Sequence, residues 1–200
     1  MCFYFWQIND NINTVSFNIT TYTGLKIDLL NIKEKDINIE DIAHSISMIV
    51  RFNGHIKFFY SVGQHCIFVS EALKDNGMDI KMQLCGLLHD ASEAYFQDII
   101  TPLKHSGLVD VYRQKEEEVF NTILQRFGID IPTENEKKNI KSADKWMFLN
   151  ENRVLRNIIS DDPGYGFIFK PDIKEESYFS VEEKYVKLFN KLLRLYEQNR

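Results

Sequence analysis

His89 and Asp90 stand side by side in Leu87-Leu88-His89-Asp90-Ala91-Ser92-Glu93, closing a segment whose apolar residues (Met82, Leu84, Cys85, Leu87, Leu88) read as a buried helix. A histidine beside a carboxylate in that position is costly to desolvate unless both are satisfied. Two more polar residues sit in the same awkward way. His65 has Val62, Phe68, Val69 and Ala72 around it, and Asp144 shares a helical face with Ile140, Met147, Phe148 and Leu155. Asp144 is therefore expected to point towards the core, where an ionised carboxylate needs a strong partner. Two imidazoles and two carboxylates, delivered by three helices, make a mixed N/O site for one divalent cation. Such an ion lowers the pKa of its bound water towards neutrality, and the resulting hydroxide is a nucleophile suited to phosphorus.

Other residues fit around that centre. Glu93 lies four residues after His89 and three after Asp90, on the same side if a helix continues there. It could hold the water or protonate a leaving oxygen. Asp98 could accept a hydrogen bond from a sugar hydroxyl. Arg51, just before Asn53-Gly54, offers a guanidinium fork that suits a phosphate dianion. Each has a blander reading alone. A single buried histidine is usually a satisfied core residue, and His44, His55 and His105 are read as core or surface residues. Arg51 alone could be a helix-end cation facing the macrodipole. Glu93 alone could be a surface carboxylate. Pro163-Gly164-Tyr165-Gly166 reads as a turn. Three misplaced polar sites with ligand identities, taken together, favour the metal.

The elements that must position these groups are mostly helical. Residues 1 to about 32 mix β-branched and aromatic residues with Asn and Thr, and predict one or two short strands with a turn at Gly24. Asn38 can cap a helix through about Phe52. Ser61 with Gln64 is a capping box that opens the His65 helix. Asp79 caps the next, which ends near His89-Asp90, and a short helix or turn follows to Tyr95. A loop with Thr101-Pro102 leads to an amphipathic helix over 110–127, whose run Glu116-Glu117-Glu118 is a solvated face. Gly128 ends it. Thr133 with Glu136 opens a long helix through about Ile158 that carries Asp144. A loop over 159–178 precedes a last helix begun by Ser180 and Glu183, with the stripe Val181, Tyr185, Leu188, Leu192, Leu195. The expectation is a single, all-α domain over residues 1–200, with a short extended or β segment at its N-terminus.

The bulk numbers agree with a globular chain. It has 200 residues, 44% hydrophobic and 13% aromatic, enough for one sizeable core. Net charge is −5 with no long basic run, which argues against a duplex nucleic-acid binder but not against a pocket for a small phosphate ester. Cys2, Cys66 and Cys85 form no disulfide pattern, and Cys66 and Cys85 read as reduced core residues. The apolar start Met1–Trp6 is short, lacks basic residues and runs into Asn9, Asp10, Asn11 and Asn13, so neither a signal peptide nor a membrane span is expected. A cytoplasmic protein follows.

The order His65, His89-Asp90, Asp144 resembles the H…HD…D signature of the HD-domain metal-dependent phosphohydrolases. Further segments are similar to a bacterial and phage branch of them, the 5'-deoxynucleotidases: Asp41–Ser47, Arg51–His55, Phe59–His65, Leu88–Tyr95, then Asp98 and Thr101-Pro102-Leu103-Lys104. The likeness spans roughly residues 20 to 155. It implies a helical HD fold and one divalent transition-metal ion (Co, Mn, Zn or Fe) held by His65, His89, Asp90 and Asp144. It implies Glu93 as catalytic acid or water-orienting residue and Asp98 as a second carboxylate of the catalytic region, near the sugar. Arg51, Phe52, Thr101 and Lys104 fall among its substrate contacts, Phe52 crowding the sugar 2' position. It implies homodimers.

The leading expectation is removal of the 5'-phosphate from deoxyribonucleoside monophosphates. The alternative is a dNTP triphosphohydrolase, for which Lys57, Lys104 and Lys145 would be the extra cations; a non-catalytic nucleotide-binding module is a third. Alarmone hydrolases resemble the chain too, but Ala94 stands where they carry an Asp. The cyclic-dinucleotide esterases need further ligands and a Gly-Tyr-Pro motif that is not evident.

Overall fold

The computed structural model describes residues 17–99, 110–161 and 164–200. The chain opens on a small antiparallel hairpin, β1 (Asn18–Thr20) and β2 (Lys26–Asp28), with Ile19 opposite Ile27. Gly24 takes φ +88 in the turn between them, a conformation that suits glycine. The rest of the regular structure is helical: α1 (Ile39–Met48), α2 (Val62–Asp75), α3 (Ile80–Leu88), α4 (Glu93–Phe96), α5 (Asp110–Arg126), α6 (Glu134–Glu151) and α7 (Tyr178–Gln198). The expected mostly helical fold with a short β segment is what the structure shows. Among the described residues no helix is long and apolar enough to cross a membrane.

The helix starts follow local chemistry. Asn38, Ser61, Asp79 and Thr133 each accept a backbone N–H of the first turn they precede, and Ser61–Gln64 and Thr133–Glu136 close reciprocal capping boxes. Three ends differ from expectation. α1 stops at Met48, because Ile49 is extended and Val50 pairs with Ser61 in an antiparallel bridge. β-branched Ile49 and Val50 suit that extended backbone. α6 ends at Glu151 and passes into one wide turn, Asn152–Arg156, which Asn157 terminates in the left-handed conformation. α7 is capped by Ser177, three residues before Ser180.

α2 is the central helix, packed against α1, α3, α6 and α7. Its residues are accordingly buried on nearly every side, from Val62 through Cys66 to Leu73. α2 and α3 approach closely at Gly86, where an added Cβ would fall 2.4 Å from Leu73 Cδ1. Cys66 and Cys85 are buried free thiols in this core, as expected. α7 lays Val181, Tyr185, Phe189, Leu192 and Tyr196 on the body, with Leu188 partly buried beside them. The hairpin is tied down by buried Asp41, which accepts from the Thr23 amide (2.7 Å) and hydroxyl (2.8 Å).

One contact links packing to the site. The Tyr185 hydroxyl, fully buried on α7, donates to the Leu87 carbonyl at 2.7 Å, two residues before His89. Tyr185→Phe leaves that carbonyl without this donor and is expected to lower unfolding free energy by roughly 1–2 kcal/mol. Urea denaturation measures it; an unchanged midpoint would show that α7 does not brace the end of α3.

Candidate metal centre

The capping box at Ser61 starts α2 so that His65 falls in its first turn, fully buried. His89 is the C-cap of α3, and Asp90 follows in the next turn. Asp144 comes from the middle of α6. These elements, far apart in the chain, bring the four side chains to one place. His65 Nε2 lies 3.2 Å from Asp144 Oδ1 and 3.9 Å from Asp90 Oδ2, and His89 Nε2 lies 3.2 Å from Asp90 Oδ2. The two imidazole centroids are 5.2 Å apart.

The protonation pattern is informative. His89 Nδ1 lies 2.8 Å from the Gly86 carbonyl, which can only accept, so Nδ1 carries the proton. His65 Nδ1 lies 2.6 Å from Glu151 Oε1. Both Nε2 atoms are buried and make no hydrogen bond to the described residues, although carboxylate oxygens stand nearby. Ligand atoms of His65, His89 and Asp144 lie within 4.8 Å of one another, and so do those of Cys66, His89 and Asp90. The donor set fits a divalent ion.

Charge is concentrated here. Burial opposes the ionised form of Asp90, but His89, His65 and Arg51 hold its carboxyl well below the usual range. Asp144 is likewise burdened by burial and lowered overall, chiefly by His65. Burial and Arg51 push His65 down, yet Glu151 and Asp144 leave it raised; burial also pushes His89 down, but Asp90 and Cys66 together leave it well above its ordinary value. Burial pushes the Cys66 thiol up to about 11. Asp144 is not sunk in the core as its helical face suggested. Its side chain is 36% exposed, against 0% for His65, so it sits at the opening.

The outer residues fall as follows. Glu93 is buried at the start of α4, its amide bonded to the Asp90 carbonyl at 3.0 Å. Asp98 lies just past Gln97, which takes φ +71, and lines a cavity of about 660 Å³ with Asn53, His44, Tyr22 and Met48. None of the four candidate ligands lines that cavity. Arg51 is largely buried: its Nη2 donates to Glu151 Oε2 at 3.0 Å and its Nη1 is 3.9 Å from Asp90 Oδ2. Phe52 and Asn53 adopt φ +54 and +50, and Gly54 follows at +78. A phenylalanine held there is strained backbone of the kind that clusters at functional sites. Its ring meets Phe148 at 5.7 Å and the Arg156 guanidinium at 5.1 Å. Thr101, Lys104 and His105 lie outside the described residues. His44 is a satisfied surface-edge histidine, stacked on Tyr22 and bonded to Glu182 at 3.0 Å. Sequence reasoning missed Glu151 altogether and read Cys66 only as core.

Comparison with known proteins places the chain among relatives. It is 37% identical over 137 residues to YfdR of Escherichia coli K12, covering 68% of this chain and 71% of that protein. The chain belongs to the YfdR family. A second relative, RCAP_rcc00048 of Rhodobacter capsulatus, is 35% identical over 128 residues, covering 61% of this chain and 64% of its own length. Both are described as uncharacterized, so membership of the YfdR family carries no activity with it. No family model matches the chain.

The raised histidines set a pH dependence. Their stabilising contribution is whole below the unfolded value of about 6.5 and is lost as pH rises through the raised folded values. Metal-free protein is therefore expected to melt at a lower temperature at about pH 8.5 than at about pH 6.5. The rise in Tm on adding Mn²⁺ or Co²⁺ should grow over the same interval, because the ion competes with those protons. Scanning fluorimetry reads both; an ion effect that shrinks as pH rises would contradict the shared site.

Proposed function

We propose that this protein is a metal-dependent phosphohydrolase of the HD-domain type, removing the 5'-phosphate of deoxyribonucleoside monophosphates. One observation supports the reading: the buried Nε2 atoms of His65 and His89 stand 3.2–3.9 Å from carboxylate oxygens of Asp90 and Asp144. The order of these residues along the helical chain is that of the HD signature. His65, His89, Asp90 and Asp144 would hold the ion, and Mn, Co, Zn and Fe all suit two imidazoles and two carboxylates. When bound, such an ion polarises phosphoryl oxygens and lowers the pKa of a coordinated water.

The remaining chemistry belongs to the protein. Glu93, buried one turn past Asp90, would hold a proton for the ester oxygen that leaves. Arg51 adds fixed positive charge behind Asp90. Asp98 stands at the cavity that would receive the nucleoside, and its carboxylate would accept from a sugar hydroxyl. The volume is in the range of small-molecule sites. Phe52, braced by Phe148, would crowd the sugar. Of the cations a triphosphate would need, Lys57 is tied to the Val154 carbonyl (2.8 Å) and to Asn157, which favours the monophosphate. A cytoplasmic homodimer belongs to the same reading.

Purified protein with Mn²⁺ or Co²⁺ should release inorganic phosphate from dAMP faster than from AMP. Release of triphosphate alone from dATP, with no action on dAMP, would overturn the monoesterase reading. Asp90→Ala should lose both ion and turnover. Glu93→Gln should keep the ion while kcat falls by roughly 10²–10⁴-fold; unchanged kcat would remove Glu93 from the chemistry.

A further inference from the structure

α6 meets His65 twice. Asp144 approaches Nε2 at 3.2 Å, and Glu151, seven residues and about two turns further on, accepts from Nδ1 at 2.6 Å. Glu151 is fully buried with both oxygens engaged. Oε1 takes His65 Nδ1–H and the Tyr60 hydroxyl (3.1 Å), and Oε2 takes Arg51 Nη2 (3.0 Å). We propose that Glu151 is a positioning residue for the metal centre, fixing the ring plane and tautomer of His65 so that Nε2 faces the ion, with Arg51 and Tyr60 holding the carboxylate. This rests on the metal-dependent reading above.

An ionised carboxylate only accepts, so the His65 proton shared with Glu151 must reside on Nδ1. The lone pair is then on Nε2, the nitrogen that has no hydrogen bond. A carboxylate this deep would be costly without a counter-charge, and Arg51 supplies one. Three donors from the turn at 51–54, the segment before α2 and α2 itself leave Glu151 one orientation. Histidine ligands characteristically donate their second nitrogen to such a carboxylate, and losing the partner lowers ion affinity by about 10–100-fold.

The test uses Glu151→Gln in the full chain, which keeps shape and removes charge. Calorimetric titration with Mn²⁺ should show affinity lower by about 10–100-fold. In the zinc-loaded wild type, the His65 Nδ1–H should give a low-field, slowly exchanging imidazole resonance, moved upfield in the variant. A purely structural Glu151 would lower the melting temperature of both metal-free and loaded protein yet leave affinity and resonance alone, and that result overturns the proposal. A zinc-loaded wild type with the proton on His65 Nε2 also overturns it, and decides the matter alone if the variant does not fold. Wild-type protein that binds no ion would remove the metal centre itself, whereas ion binding indifferent to Glu151 would remove only this inference.

Discussion

Both nitrogens of one imidazole face carboxylates of a single neighbouring helix, and the arrangement of the rest follows from that pairing. His65 must sit in the first turn of α2, so the capping box at Ser61 has to begin the helix there and not a residue later. α6 must lie beside α2 in a register that sets Asp144 at one ring nitrogen and Glu151 at the other. A rotation of α6 by one residue, about 100°, would take both carboxylates away together. The register is therefore fixed by polar contacts as well as by Ala143 and Met147 in the core.

The buried charges form a chain, not isolated pairs. Arg51 lies between Glu151 and Asp90, and His65 lies between Glu151 and Asp144. Glu151 is held down to about 2 against strong desolvation, with Arg51 and His65 the groups that do it. Such a network is stable only when complete, since removal of one member strands a charge in a low-dielectric interior.

Much of this was legible in the sequence wherever the signal was local. The Ser61–Gln64 and Thr133–Glu136 boxes, the Asp79 cap and the turn at Gly24 each need only a few adjacent residues, and each is where the pattern put it. The four candidate ligands stood out because their types clash with the apolar positions around them. Apart from the cap of α7, which is local, what failed needed contacts across the chain. The bridge between Val50 and Ser61 ends α1 early, and nothing within α1 announces it. Glu151 sits among polar residues near the end of α6, where a carboxylate draws no notice. Its spacing of seven from Asp144 was the one available sign. Arg51 was legible as a cation near the site, but its partner was not, so its burial against Glu151 could only come from the packing of α2 on α6.

The turn that carries Arg51 and Phe52 is fastened along both margins. Val50 is bridged to Ser61 on one side, and on the other the Lys57 amide bonds the Leu155 carbonyl at 3.0 Å while its ammonium caps the Val154 carbonyl. The three left-handed residues within it are thus braced by the helices they connect. That makes this wall of the opening a rigid template: a small molecule binding beside Phe52, as the proposed reaction requires, would have to match a shape already cast, and selectivity along this edge would come from exclusion rather than accommodation.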